Sequence, residues 1–257
     1  MEESPTADTL TETICRGKKG KFLPGCNDPY ELSRSKIELF HKCQRCFWLD
    51  RRYGIAPPSS PPYTLNSAVD ELLKREFDGY RAARKVPPLL KNRGLLLYPA
   101  QHMELARWRT NLIGVRVFHH ATNLIVYGSI DDLWVDELGT YYVADYKATS
   151  KNGEVGLDAD WQISYKRQVE FYQWLLRRNG LSVSDHAWFV YANGKKDRPF
   201  FDDTLHFATS LIPYKANTDW VEPALNEIVH VLSELHPPPA NASCKMCSFV
   251  ARAKEHQ

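Results

Sequence analysis

Asp131 is followed fourteen positions later by Asp145-Tyr146-Lys147, a spacing that can bring two carboxylates and an amine around one divalent ion. The flanking residues indicate how. Leu124 to Val135 is β-branched and aromatic and reads as a strand, and Tyr141 to Lys147 reads as a second. Asp136-Glu137-Leu138-Gly139 between them is a hairpin turn signal, with the glycine available for positive φ. A turn centred on Leu138 sets Asp131 opposite Ala144 or Asp145, about 5.5 Å away between Cα atoms. Side chains alternate along a strand, so Asp145 and Lys147 share a face and Tyr146 points away.

Two like charges about 4 Å apart repel by ~4 kcal/mol at an effective dielectric of about 20, and a hard divalent cation removes that cost. Magnesium takes carboxylate and carbonyl oxygens and keeps several waters, so the expected ligands are Asp131, Asp145 and the backbone carbonyl of Tyr146. Water activated there, beside the Lys147 amine, is a nucleophile with a group at hand to orient it or take its proton. The plainer alternative is a hairpin whose surface charges pair with one another; Asp-x-Lys alone does not decide between the two.

Two helices are expected to carry the remaining functional groups. From Gln162 to Arg178 apolar and polar residues alternate at helical spacing, and Asn179-Gly180 supplies a stop. Tyr165, Gln168 and Tyr172 form one stripe on that helix, an amide between aromatic rings that suits phosphate oxygens and base faces. Earlier, Pro61-Pro62-Tyr63 leads to Thr64 as an expected N-cap. Leu65, Val69, Leu72, Leu73, Phe77 and Tyr80 follow as a core-facing stripe. Asp70 lies about 95° from the centre of that stripe, on its flank.

Gly128-Ser129-Ile130-Asp131, Val143-Ala144-Asp145-Tyr146-Lys147 and Gln168-Val169-Glu170-Phe171-Tyr172 occur in that order at strand, strand and helix. This resembles the PD-(D/E)XK nuclease superfamily, and within it the RecB-type branch that includes the CRISPR-adaptation nucleases, over roughly Leu32 to Val250. The resemblance implies an α/β, restriction-endonuclease-like core in the order α-β-β-β-α-β, with a mixed central sheet flanked by helices. It implies a Mg2+- or Mn2+-dependent DNA nuclease in which Asp131 and Asp145 ligate metal, Lys147 is the catalytic lysine, and Gln168 and Tyr172 position DNA. Related nucleases often carry a histidine at the place of Asp70 and a glycine at that of Asn66; an aspartate there could ligate magnesium through oxygen. The order helix, three strands, helix, strand also follows from periodicity alone, with strands at Ile113–His119 and Trp188–Tyr191 beside the hairpin, a further strand near Leu205–Ala208 and a helix near Asp219–Leu235.

Cys43-Gln44-Arg45-Cys46 and Cys244-Lys245-Met246-Cys247 are two C-x-x-C pairs at opposite ends of the folded region. Together they can build a four-thiolate site joining the N- and C-terminal segments, a cross-link worth about 5 kcal/mol at most by chain entropy. RecB-type iron–sulfur nucleases are clamped by one N-terminal and three C-terminal cysteines. Here the division is two and two, so a [4Fe-4S] cluster and Zn2+ both stay open. Cys15 and Cys26 have no such spacing and are expected to be free thiols.

The chain has 257 residues, 43% of them hydrophobic and 12% aromatic, which excludes a disordered protein and suits one domain over residues 31–250. Residues 1–30 are expected to be a flexible tail and 251–257 a short C-terminal one. No apolar run approaches the roughly 18 residues of a membrane span and the N-terminus is unlike a secretory signal, so a cytoplasmic protein without membrane partners is expected. Net charge is only +2, leaving DNA contact to local clusters such as Arg16 to Lys21, Lys166-Arg167 and Arg177-Arg178. Protein partners in repair, defence or mobile-element processing are compatible with these features. The competing readings are a non-catalytic DNA-binding or complex-assembly module on the same fold, and a zinc-stabilised RNA-processing enzyme.

Overall fold

The structure, a computed structural model, describes residues 20–59 and 61–256. Cys15, most of the basic Arg16 to Lys21 cluster and the last residue lie outside this range. In chain order the elements are β1 (Tyr30–Ser33), α1 (Arg34–Lys42), α2 (Gln44–Tyr53), α3 (Thr64–Ala83), α4 (Pro88–Lys91), β2 (Tyr98–Pro99), α5 (Leu105–Trp108), β3 (Val115–His119) and β4 (Leu124–Gly128). They continue as β5 (Asp132–Val135), β6 (Tyr141–Thr149), α6 (Ile163–Arg178), β7 (His186–Gly194), β8 (Phe207–Lys215), α7 (Val221–Ser233) and α8 (Lys245–Lys254).

The strands form two sheets. One runs β1-β4-β3; the other runs β2-β5-β6-β7-β8, with β6 and β7 parallel and the other neighbours antiparallel. The five-stranded sheet is covered on both faces. Leu133, Val143, Phe189 and Tyr191 point into the larger core with Phe171 and Leu175 of α6, while Trp134, Ala144, Tyr146 and Val190 point to a second core with Phe77 of α3 and Leu90 of α4. This alternation is the period of two expected for a pleated sheet between layers. It is the mixed α/β architecture expected from the sequence.

Several local expectations change. Leu124 to Val135 is two strands in two sheets, making four from β3 to β6 where three were expected. The chain crosses between sheets at Ser129-Ile130-Asp131, where the buried Ile130 donates its N–H to the Trp108 carbonyl at 3.2 Å. The α3 helix starts at Thr64 with Tyr63 as its cap, and its stripe is core only in part: Phe77 stacks on Trp134 with ring centroids 5.4 Å apart, but Leu65 and Leu72 are exposed. The first turns of α3 line a cleft rather than the core. Lys21 to Tyr30, expected within the tail, is held in place. Phe22 donates its N–H to the Arg51 carbonyl at 2.7 Å and packs edge-on against Tyr30, which opens β1. At the other end α8 runs on to Lys254, past the expected boundary at 250. The strand expected near Leu205 begins at Phe207. Among the described residues no helix is long and apolar enough to cross a membrane.

Candidate active site

Turn chemistry sets the register on which the site depends. Asp136 accepts the N–H groups of Leu138 and Thr140 at 3.0 and 2.8 Å, and Gly139 takes φ +80°, closing the hairpin. Asp132 then pairs with Ala144, which puts Asp131 beside Asp145 at the point where the chain passes between sheets. The Asp131 Oδ2 accepts the Tyr146 N–H at 3.0 Å. The neighbouring Asp132 turns the other way. Fully buried, it receives Arg81, Arg109 at 2.6 Å, the Tyr146 hydroxyl at 2.6 Å and the Trp134 indole N–H at 3.3 Å, and so pins α3 and α5 to the sheet.

Asp145 is buried, with its Oδ2 against the Lys147 ammonium and its Oδ1 without a hydrogen-bond partner. Its partner is the Lys147 ammonium, in a close ion pair. Burial pushes the Asp145 carboxyl up to about 7, with Lys147 opposing the rise and Asp131 adding to it. A carboxylate left in that state is costly unless a cation completes it. The chemistry of the donors, Asp131 on the wall of an open cleft and the unpartnered Oδ1 of Asp145 buried beside it, fits a hard divalent ion.

Lys147 is fixed from the α6 side. Its ammonium lies over the Tyr165 ring, 4.6 Å from the centroid, and donates to Gln168 Oε1 at 3.4 Å. Gln168 in turn donates from Nε2 to the Tyr172 hydroxyl at 3.1 Å. Tyr165 and Gln168 border the cleft, whereas Tyr172 is only 4% exposed and reaches it through Gln168. Gly128 has to be glycine because a Cβ there would stand 2.7 Å from the Tyr172 ring and 3.2 Å from Arg34 Cβ.

The opposite wall is α3. The cleft encloses about 480 Å3 and is bordered by Tyr63, Asn66 and Asp70 on that side. Asn66 ties the helix to β6 by donating to the Ala148 carbonyl at 3.0 Å. Asp70 does reach the site, with its carboxyl pushed up by burial and then by Asp131. Lys74, which the sequence reading did not single out, stands between the two: its Nζ is 2.6 Å from Asp70 Oδ2 and 3.4 Å from Asp131 Oδ1. Its i,i+4 spacing from Asp70 was the available signal.

The four expected cysteines also converge. Cys43 and Cys46 at the start of α2 meet Cys244 and Cys247 at the start of α8, and all four sulfurs lie within 4.8 Å of one another. Individual Sγ–Sγ separations are 3.8 Å for Cys43–Cys247, 3.7 Å for Cys46–Cys244 and 3.5 Å for Cys46–Cys247, none a disulfide. Burial pushes the Cys247 thiol up to about 11 and raises Cys46 as well. At Cys43 burial is outweighed by backbone hydrogen bonds from Asn241 and Cys46, which bring it down to about 7. Four sulfurs this close can hold one metal ion, since bonds of about 2.3 Å give a tetrahedron whose edges are about 3.8 Å.

A family model described as the PD-(D/E)XK nuclease superfamily matches residues 31–252. No curated protein matches significantly. A solved structure titled "Crystal structure of SSO0001" is similar over 86% of this chain and 84% of that one, with 15% identity and a TM-score of 0.44.

Proposed function

This chain belongs to the PD-(D/E)XK nuclease superfamily, and we propose that it is a Mg2+- or Mn2+-dependent deoxyribonuclease of the RecB-type branch. The observation that carries the reading is Asp145, a buried carboxylate with one oxygen unpartnered, set beside Asp131 and Lys147, which line an open cleft. Asp131, Asp145 and the Tyr146 carbonyl would hold the ion. When bound, it supplies an activated water and neutralises charge on the scissile phosphodiester.

The protein's own groups do the rest. Lys147 orients the attacking water and meets phosphoryl oxygen with its ammonium, held to that task by Asp145, Gln168 and the Tyr165 ring. Gln168 presents its amide to the strand, with Tyr172 fixing the amide from below. Trp161, exposed and edge-on to Tyr165 with centroids 5.3 Å apart, extends an aromatic surface at the cleft rim on which a base can stack. For the thiolate site, the 3.5–3.8 Å sulfur separations support one tetrahedral ion, zinc, over a four-iron cluster in which every thiolate sits on its own iron. Such an ion ties α2 to α8 and leaves the carboxylate chemistry to the cleft.

The test is cleavage of labelled single-stranded DNA, duplex DNA and RNA with magnesium and with chelator. Wild type is expected to cut DNA only with the metal, and Lys147→Ala to lose about 10²–10⁴-fold in rate while keeping its fold. Equal rates for Lys147→Ala and wild type would remove the assignment and favour a non-catalytic binding module. Preference for RNA would favour the RNA-processing reading.

A further inference from the structure

Beyond the ion held by Asp131 and Asp145, we infer that Lys74 fills the place of a second cation, so that the site takes one divalent ion per chain and Asp70 serves the lysine instead of the metal. This rests on the proposed nuclease site and adds its ion count and the role of α3.

The geometry is that of a cation bridged by two carboxylates. Lys74 Nζ contacts Asp70 at 2.6 Å and Asp131 at 3.4 Å, and the two aspartates come from different elements, α3 and the crossing between β4 and β5. Asp131 is therefore shared: one oxygen faces Lys74, the other takes the Tyr146 N–H, and the residue lies beside Asp145 in register. In two-metal phosphodiesterases a shared carboxylate bridges ions about 4 Å apart. Here an ammonium stands on one side of that carboxylate. All three side chains are largely shielded, with exposures of 23% for Lys74, 31% for Asp70 and 20% for Asp131, so the pairing is better protected from screening than a surface ion pair.

Lys74 is also tethered, since it follows Asp70 by one helical turn.

The experiment counts Mn2+ ions by titrating the full chain, with its cysteine site loaded, and reading unbound Mn2+ by electron paramagnetic resonance. Asp131→Asn sets the background. Wild type is expected to bind one carboxylate-dependent Mn2+ per chain, Lys74→Met two that are magnetically coupled, and Lys74→Met/Asp70→Asn one again. Asp70→Asn alone keeps one, a result that does not depend on the Lys74 variant folding. Two ions in wild type, one in folded Lys74→Met, or loss of the ion in Asp70→Asn would each overturn the inference. Absence of any carboxylate-dependent ion in wild type would instead overturn the nuclease site beneath it.

Discussion

Replacing Asp145 by asparagine should abolish cleavage and, in the absence of metal, make the protein harder to unfold. The carboxyl sits at about 7 in the folded chain against 3.8 as its ordinary value, a displacement caused first by burial. Three pKa units at about 1.36 kcal/mol each set a ceiling of about 4 kcal/mol. Because the folded state holds this proton more tightly than the unfolded one, the group's contribution is fully present below about pH 4. It drains away as pH rises to about 7, and above that the buried anion costs the whole amount. Asparagine has no such term. It leaves Lys147 without its paired ion, which takes back part of the gain. The two proteins should thus unfold together near pH 4 and separate progressively to pH 8, the variant melting several degrees higher at ~2–4 °C per kcal/mol. Saturating magnesium should close the gap, since an ion at about 100 times its Kd adds ~2.7 kcal/mol to wild type and nothing to the variant. The assay is thermal unfolding across pH in chelator and in magnesium, with cleavage measured in parallel. A variant that melts at or below wild type in chelator at pH 8, or a gap that does not depend on pH, would refute the argument.

Gly128→Ala drives a methyl to 2.7 Å from the Tyr172 ring, so it should cost about 1–3 kcal/mol in denaturant unfolding and lower cleavage by moving Gln168. Asp132→Asn removes the buried partner of Arg81 and Arg109 and should cost about 3–5 kcal/mol, read as an earlier unfolding midpoint. Cys247→Ser should release a stoichiometric metal ion to a colorimetric zinc chelator and lower the melting temperature, whereas magnesium removal should leave that ion in place.

The carboxylate–lysine site was legible because it rests on local rules. The turn signal at Asp136 to Gly139 fixed the register that brings Asp131 to Asp145, and strand alternation separated Asp145 and Lys147 from Tyr146. The α6 stripe was equally plain, as its Tyr165, Gln168 and Tyr172 spacing does not depend on tertiary context. What escaped was decided by packing across long sequence separations. The crossing at Ser129 to Asp131 looks like uninterrupted strand because Ile130 is as β-prone as its neighbours, and only the Trp108 carbonyl and the second sheet reveal the break. Leu65 and Leu72 have the periodicity of a core face, yet both are exposed, on the part of α3 that borders the cleft. Lys74 was not legible because an acid and a base four apart on a helix are commonplace until Asp131, from elsewhere in the chain, arrives on the lysine's other side.

The thiolate clamp joins partners separated by 198 positions, which matters for how the polypeptide is made. Cys43 and Cys46 emerge from the ribosome well ahead of Cys244 and Cys247, by about 10–40 s at translation rates of about 5–20 residues per second. During that interval the nascent chain carries half a chelate, open to oxidation and to capture of the wrong metal. Loading of the proposed ion would therefore be a late event in biosynthesis, and it would report on whether almost the entire domain has been delivered.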